Sequence, residues 1–347
     1  MKILYAIQGT GNGHLSRAKE IIPYLKEKGE LDLLVSGIQS DIPLPYEVKY
    51  VFKGMSFVFG KKGGIDYLNT YMKNHVNRFI AEVKSLPIEQ YDIIINDFEP
   101  ISAWAAHFKK KSCISLSNQC AVLSPNAPKP KKEDTLGKFM LNNYAPTTAT
   151  YGFHFQSYSD NIYTPIVRQE VRDLKVSNLG HYTVYLPAYD DERIIKKLKL
   201  VTDVQFQVFT KHGKSTYQNE NIHVQPINNE AFLKSMASCT GVLCAAGFGT
   251  PSEALFLKKK LMVIPMKAQY EQQCNAEALK LMGVPVIKEL RKKHIPAILK
   301  WIMTDDFVEV NYPNQTKEIV DSIFENEFFK RDSYLNFIQT DQFKVGA

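Results

Sequence analysis

No apolar run in this chain of 347 residues is long enough to cross a bilayer as a helix, which excludes a helical membrane-spanning protein. Met1 leads straight into an apolar, strand-like segment, without the basic, apolar and cleavage-site regions of a secretory leader. The five cysteines, Cys113, Cys120, Cys239, Cys244 and Cys274, are odd in number and contain no CxxC pair. That disfavours a disulfide framework, and Cys113 and Cys244 read as small core residues in a reducing compartment. The expected location is therefore cytoplasmic, with the inner face of the cell membrane as the surface for any peripheral association. The chain also lacks a dinucleotide fingerprint. The glycines of its first turn alternate instead of following GxGxxG, and Val35 at the end of the second strand is followed by Ser36 and Gly37 rather than by an acid, so NAD is disfavoured. No nucleic-acid module accompanies the formal charge of +7.

What is present is a globular composition, 44% hydrophobic, in a chain long enough for two domains. Lysines cluster at 109–111, 129–132, 196–197, 258–260 and, with Arg291, at 291–293. Most read as solvated helix ends; anionic substrates or an anionic membrane surface are the partners such clusters would suit. The first half alternates strands and helices: strands at Ile3–Ile7, Leu31–Val35, Val48–Phe52, Tyr91–Asn96 and Ser112–Leu116, helices at Leu15–Lys28, Tyr67–Leu86 and Ile101–Lys109. Apolar strands separated by helices predict a parallel sheet covered on both faces. Residues 124–138 break the pattern with three prolines and four lysines, and read as a long exposed loop or lid. Further strands are expected at Phe153–Ser157 and Ile162–Tyr163, and Val171–Asn178 reads as a polar linker. The alternation restarts at His181, with strands at Tyr182–Leu186, Gln205–Phe209 and Ile222–Val224 and helices at Glu192–Leu200 and Glu230–Ser238. It ends in an amphipathic helical tail.

Three segments carry chemistry. The first strand runs into Gln8-Gly9-Thr10-Gly11-Asn12-Gly13-His14, at the carboxyl end of a strand where α/β folds place ligands. An imidazole there suits a general base, against the alternative of a capping or packing histidine. Asn96-Asp97-Phe98-Glu99-Pro100 also follows a buried strand. Asp97 either orients His14 or caps the helix that begins at Pro100 or Ile101, and Glu99 is expected at the same crevice. The third segment joins a strand, Val242-Leu243-Cys244, to a glycine turn at Gly247 and Gly249. Thr250-Pro251-Ser252-Glu253 then opens a helix with the pattern of a capping box. A glycine turn feeding a helix N-terminus is an anion site. One strand further on lies a polar group, Gln269, Glu271, Gln272, Gln273 and Asn275. From spacing alone Glu253 reads as a cap for Thr250.

Together these segments resemble the GT-B glycosyltransferases, in particular the lipid-linked N-acetylglucosaminyltransferase of peptidoglycan synthesis (family 28) and the UDP-glycosyltransferases of family 1. The Gly9–His14 turn is similar to their glycine loop ending in His. Gly247, Glu253, Glu271-Gln272 and Asn275-Ala276 are similar to their donor segment. The His-Cys-Gly-Trp-Asn-Ser signature of family 1 is replaced by Ala245-Ala246-Gly247-Phe248-Gly249-Thr250. The resemblance implies an α/β GT-B fold, two Rossmann-like doubly wound parallel-sheet domains facing a central cleft. Residues 1–178 would form the acceptor side and 179–318 the nucleotide-sugar side, and a tail over 319–347 would pack back on the first domain. It implies an inverting transferase that takes a UDP-sugar as co-substrate, with no cofactor and no metal, and a hydroxyl acceptor of lipid or cell-envelope type. His14 would be the base and Asp97 its orienter. Gly11, Gly13, Ile227, Gly247, Gly249, Thr250, Glu253, Glu271 and Gln272 would hold the donor. Glu253 would then meet the ribose and Ile227 the uracil through its backbone. The alternatives are a non-hydrolysing UDP-sugar 2-epimerase, or a nucleotide-sugar-binding protein without chemistry.

Overall fold

The computed structural model describes residues 1–37, 44–55, 59–60, 64–65, 76–132, 134–211 and 213–326. The first half contains β1 (Lys2–Gln8), α1 (Asn12–Lys26), β2 (Glu30–Ser36), β3 (Tyr50–Phe52), the small antiparallel pair β4 (Phe59–Gly60) and β5 (Gly64–Ile65), and α2 (Val76–Ser85). It continues with β6 (Ile93–Asp97), α3 (Pro100–Phe108), β7 (Ile114–Ser117), α4 (Asn118–Leu123), α5 (Thr135–Tyr144), β8 (Ala149–Phe153), β9 (Ile162–Tyr163) and α6 (Gln169–Arg172). Its main sheet has seven parallel strands in the order β3-β2-β1-β6-β7-β8-β9. The order reverses between β1 and β6, so a crevice opens beyond the carboxyl ends of those two strands.

The second half contains β10 (His181–Tyr185), α7 (Asp191–Leu198), β11 (Gln205–Thr210), β12 (Tyr217–Asn219), β13 (Ile222–Pro226), α8 (Asn229–Ser238), β14 (Gly241–Ala245), α9 (Gly249–Phe256), β15 (Lys260–Ile264), α10 (Tyr270–Leu281) and α11 (Ile295–Met303). Its sheet, β12-β13-β11-β10-β14-β15, is parallel except for the antiparallel edge strand β12. The order reverses between β10 and β14, and the Gly247 turn follows β14 at that point. Residues 316–326 form a further helix, α12. It contacts the first half: Lys28 pairs with Asp321 at 2.5 Å, and the Tyr163 hydroxyl donates to Ser322 at 3.3 Å.

Strands buried on both faces read as nearly continuous apolar runs, which is why β1, β6 and β14 were visible in the sequence. One apolar core unites Ile3, Ile7 and Ile21 of the first half with Phe209, Val242 and Leu255 of the second. The halves are therefore fused behind the cleft rather than joined by a bare linker. Val171, at the head of the expected polar linker, is wholly buried in that core.

Several expectations shift. The helix expected over Tyr67–Leu86 is described only as Val76–Ser85, and 67–75 lie outside the described residues. The strand expected at Phe153–Ser157 is Ala149–Phe153. Phe155 packs across to Phe248 of the second half, ring centroids 5.2 Å apart, instead of joining the ladder. The 124–138 segment is not simply an exposed loop. The Lys129 ammonium donates to the carbonyls of Val122, Ser124 and Ala127, at 2.5, 2.8 and 2.9 Å, and folds the chain around itself. Asp134 then caps α5 by accepting from the Gly137 N–H at 2.9 Å.

Candidate active site

The first βα turn brings the chain from β1 to α1 through Gly11, whose φ of 97° and ψ of 148° lie where only glycine is comfortable. Nothing lies within 4 Å of where a Cβ would sit on Gly11 or Gly13, so the turn faces open space. Gly13 and His14 are the second and third residues of α1, whose first turn holds no acid. The His14 Nδ1 lies 2.8 Å from Oδ1 of Asp97, at the end of β6. Arg17, one helical turn after His14, was not singled out in the sequence. Its Nη2 donates to both Asp97 oxygens, at 2.6 and 2.8 Å, and lies 3.2 Å from the His14 Nδ1.

Asp97 is 0% exposed. Burial alone would push its carboxyl up; the Arg17 guanidinium and the His14 ring outweigh burial and hold it below the usual carboxylate range. A carboxylate facing Nδ1 keeps the proton on that nitrogen, so Nε2 carries the lone pair that a base uses.

Asp97 is not the cap of α3. Glu99 takes that role, accepting from the N–H groups of Ile101 and Ser102, each at 2.6 Å, and from the Ser36 hydroxyl at 2.6 Å. Phe98, with φ of 57°, turns the chain between them. Glu99 is therefore consumed by the cap rather than presented to the crevice, and burial, outweighing its hydrogen bonds, pushes its carboxyl up.

On the donor side, the capping-box expectation is corrected. Helix α9 starts two residues earlier, with Phe248 as its cap residue in place of Thr250 and no side-chain cap. Gly249 and Thr250 hold its first two positions, where a helix leaves N–H groups without internal acceptors, and Pro251 has no N–H to offer. Glu253 does not return to Thr250. Its two oxygens accept from Nε and Nη2 of Arg168, at 2.6 and 2.9 Å, and Arg168 Nη1 also meets Glu170 and the Asn229 side chain. The Ile227 N–H donates to the Thr210 carbonyl at 2.8 Å, so any reading of a base there falls to the Ile227 carbonyl. Gln272 Oε1 accepts from the Met266 N–H at 3.0 Å, and its Nε2 lies 4.0 Å from the position a Cβ on Gly247 would take.

The two sides meet at Glu271, in the first turn of α10. Its Oε1 accepts from the Asn118 amide at 2.8 Å and its Oε2 from the Gln119 amide at 3.1 Å. The same Gln119 nitrogen lies 3.4 Å from Nε2 of His14. Val122 and Leu141 of the first half pack on Tyr270 and Cys274 of α10 beside this contact. Of the expected site residues, the structure thus brings His14, Asp97 and Glu271 into one connected group. Arg17, Asn118, Gln119 and Arg168 were missed. Only Arg17 had a local signal, its i+3 spacing from His14; the carboxylates that Asn118, Gln119 and Arg168 meet across the two halves, Glu271 and Glu253, lie more than 80 residues away in the chain.

Among the described residues, no three His, Cys, Asp or Glu side chains converge as a metal ligand set, and no helix is long and apolar enough to cross a membrane. A pocket of about 250 Å³ lies behind α4 and α5, lined among others by Phe98, Ser115, Ser117, Cys120, Leu123 and Leu141.

Two doubly wound sheets, with the His14–Asp97 pair at the first switch point and a glycine turn at the second, have the architecture of a GT-B glycosyltransferase. The chain belongs to the glycosyl transferase family 1, whose family model matches residues 1–302. Its fold is similar to that of MurG from Acinetobacter baumannii, at 12% identity and a TM-score of 0.56 over 94% of this chain and 100% of that one. It is also similar to Arabidopsis thaliana UGT89C1 complexed with UDP-L-rhamnose, and to Phytolacca americana UGT2 complexed with UDP-2fluoro-glucose and pterostilbene. Each of these shows 13% identity and a TM-score of 0.56 over 88% of this chain and 90% of that one. No curated protein matches the chain in sequence.

Proposed function

We propose that this glycosyltransferase moves a sugar from UDP to an acceptor hydroxyl with inversion and without a metal. The observation that carries the reading is the pairing of half-buried His14 with buried Asp97, the His14 Nε2 facing the donor-side Glu271 across 3.4 and 3.1 Å contacts to one amide. His14 Nε2 takes the acceptor proton. The acceptor oxygen bonds to the anomeric carbon from the face opposite UDP, and the bond from that carbon to the diphosphate oxygen breaks. UDP leaves with the electron pair, received by the Gly249 and Thr250 N–H groups at the N-terminus of α9 and by the Thr250 hydroxyl. Asp97, with Arg17 behind it, stabilises the imidazolium. Glu271 and Gln272 hold sugar hydroxyls, Glu253 the ribose, Ile227 the base, and the Gly11 and Gly13 turn closes over the donor. The UDP-sugars bound by the two plant enzymes support this choice of nucleotide.

The same reading takes the acceptor to be carried on an anionic lipid surface. Leu136 and Phe139 of α5 are 57% and 64% exposed, close in sequence to Lys131, Lys132 and Lys138. The test is a panel of UDP-sugars scored by UDP release, with and without chelator, in the presence of anionic or neutral vesicles carrying lipid acceptors. Turnover that survives the chelator and rises on anionic vesicles supports the reading; turnover that stops with the chelator removes the metal-free step.

A further inference from the structure

The Gln119 side chain lies between the base and the donor-side acid, and the proposed function above gives neither neighbour a use for it. Gln119 is 4% exposed, in the first turn of α4. Its amide nitrogen carries two hydrogens. One faces Oε2 of Glu271 at 3.1 Å and the other faces Nε2 of His14 at 3.4 Å. Both neighbours are acceptors, since the Nδ1 proton of His14 faces Asp97, and this fixes which end of the amide is nitrogen. The other end, Oε1, is buried without a hydrogen-bond partner among the described residues. The amide is thus held by its nitrogen alone, at the expense of its oxygen, so the group is poised to leave this position.

We infer that Gln119 is a positioning residue that covers the lone pair of the catalytic base until the donor and then the acceptor displace it. The inference rests on the transferase reading above. Glu271 anchors the amide, and the second N–H covers the lone pair on which an attacking hydroxyl must place its proton. Donor sugar hydroxyls compete for Glu271 and loosen the anchor. An acceptor hydroxyl, bound by its own contacts, then replaces the amide at Nε2. Water, with no such contacts, competes poorly with a tethered N–H. Gln119 therefore discriminates between transfer and hydrolysis. In hydrolysis the oxygen of water bonds to the anomeric carbon, its proton goes to Nε2, and UDP leaves with the electrons of the broken bond.

The test compares wild type with Gln119→Met, which keeps the length and packing of the side chain but has no N–H, and with Gln119→Ala as a second variant. UDP-glucose, UDP-galactose and UDP-N-acetylglucosamine are supplied without acceptor and UDP release is followed; UDP affinity is measured separately by calorimetry. The expected result is UDP release about fivefold faster in Gln119→Met, the rate equivalent of one lost hydrogen bond, with UDP affinity unchanged. Equal release rates in the two proteins, zero included, with UDP binding intact would overturn the role of Gln119 and leave the transferase reading standing. Absence of UDP binding in wild type would remove both together.

Discussion

At the residue scale, the account depends on how Asp97 is held. A carboxylate with no solvent exposure survives as a charge because Arg17 and His14 both face it. Removing one partner of such a pair leaves the other charge buried, at a cost of about 3 kcal/mol or more. Asp97→Asn should therefore lower stability at neutral pH and also reduce turnover about a hundredfold, by leaving the base unoriented. The pH dependence has a definite sign. The folded carboxyl lies below its ordinary value, so its contribution is fully present above about pH 3.9 and is lost as the pH falls through the folded value. Urea titrations of wild type and Asp97→Asn should diverge at pH 7 and converge as the pH falls below that point. A constant gap across the range would show that the charge is not what Arg17 stabilises. His14 and Asp97 were legible in the sequence because each follows a buried strand that ends at the switch point. Which of the two acids caps the helix was not, because Asp97 and Glu99 lie two residues apart and either could reach the open N–H groups.

At the scale of elements, the turn after β6 does two jobs with those two acids. The positive φ of Phe98 lets Asp97 face α1 while Glu99 turns onto α3. Glu99→Ala should then cost about 1–2 kcal/mol through the lost cap and also loosen the Asp97 end of the turn. Thermal unfolding together with turnover checks this: a fall in stability with turnover untouched would mean the cap and the site are independent. The α9 boundary shows why a capping signature can mislead. Thr-Pro-Ser-Glu has the spacing of a capping box, but the glycine turn lets the helix begin at Gly249, and Glu253 finds a charged partner, Arg168, that no local rule could anticipate. The edge strand β12, Tyr217–Asn219, had no apolar alternation to announce it and exists by pairing with β13. Helix α5 was hidden by the prolines and lysines that precede it.

At the scale of the whole molecule, the two sheets and the cleft between them were legible and the side-chain contacts across it were not. Parallel strands buried on both faces announce themselves as apolar runs. The contacts across the cleft, Asn118 and Gln119 to Glu271 and Arg168 to Glu253, are made by polar side chains distant in sequence. The Arg168–Glu253 pair lies where the end of the first half meets the donor helix, and the same carboxylate is assigned to the ribose. Glu253→Gln should consequently show two losses: lower thermal stability, because Arg168 loses its main partner, and UDP affinity weaker by about tenfold. A stability loss with unchanged affinity for UDP would assign Glu253 to the pair alone.

The central claim is that the base in the first domain and the anion-binding helix end in the second serve one reaction. The most direct measurement is UDP affinity by calorimetry alongside UDP-sugar turnover, for wild type and His14→Ala. The account predicts nearly equal UDP affinity in the two proteins, and turnover reduced by about a hundredfold or more in the variant. Turnover that persists unchanged in His14→Ala would contradict it.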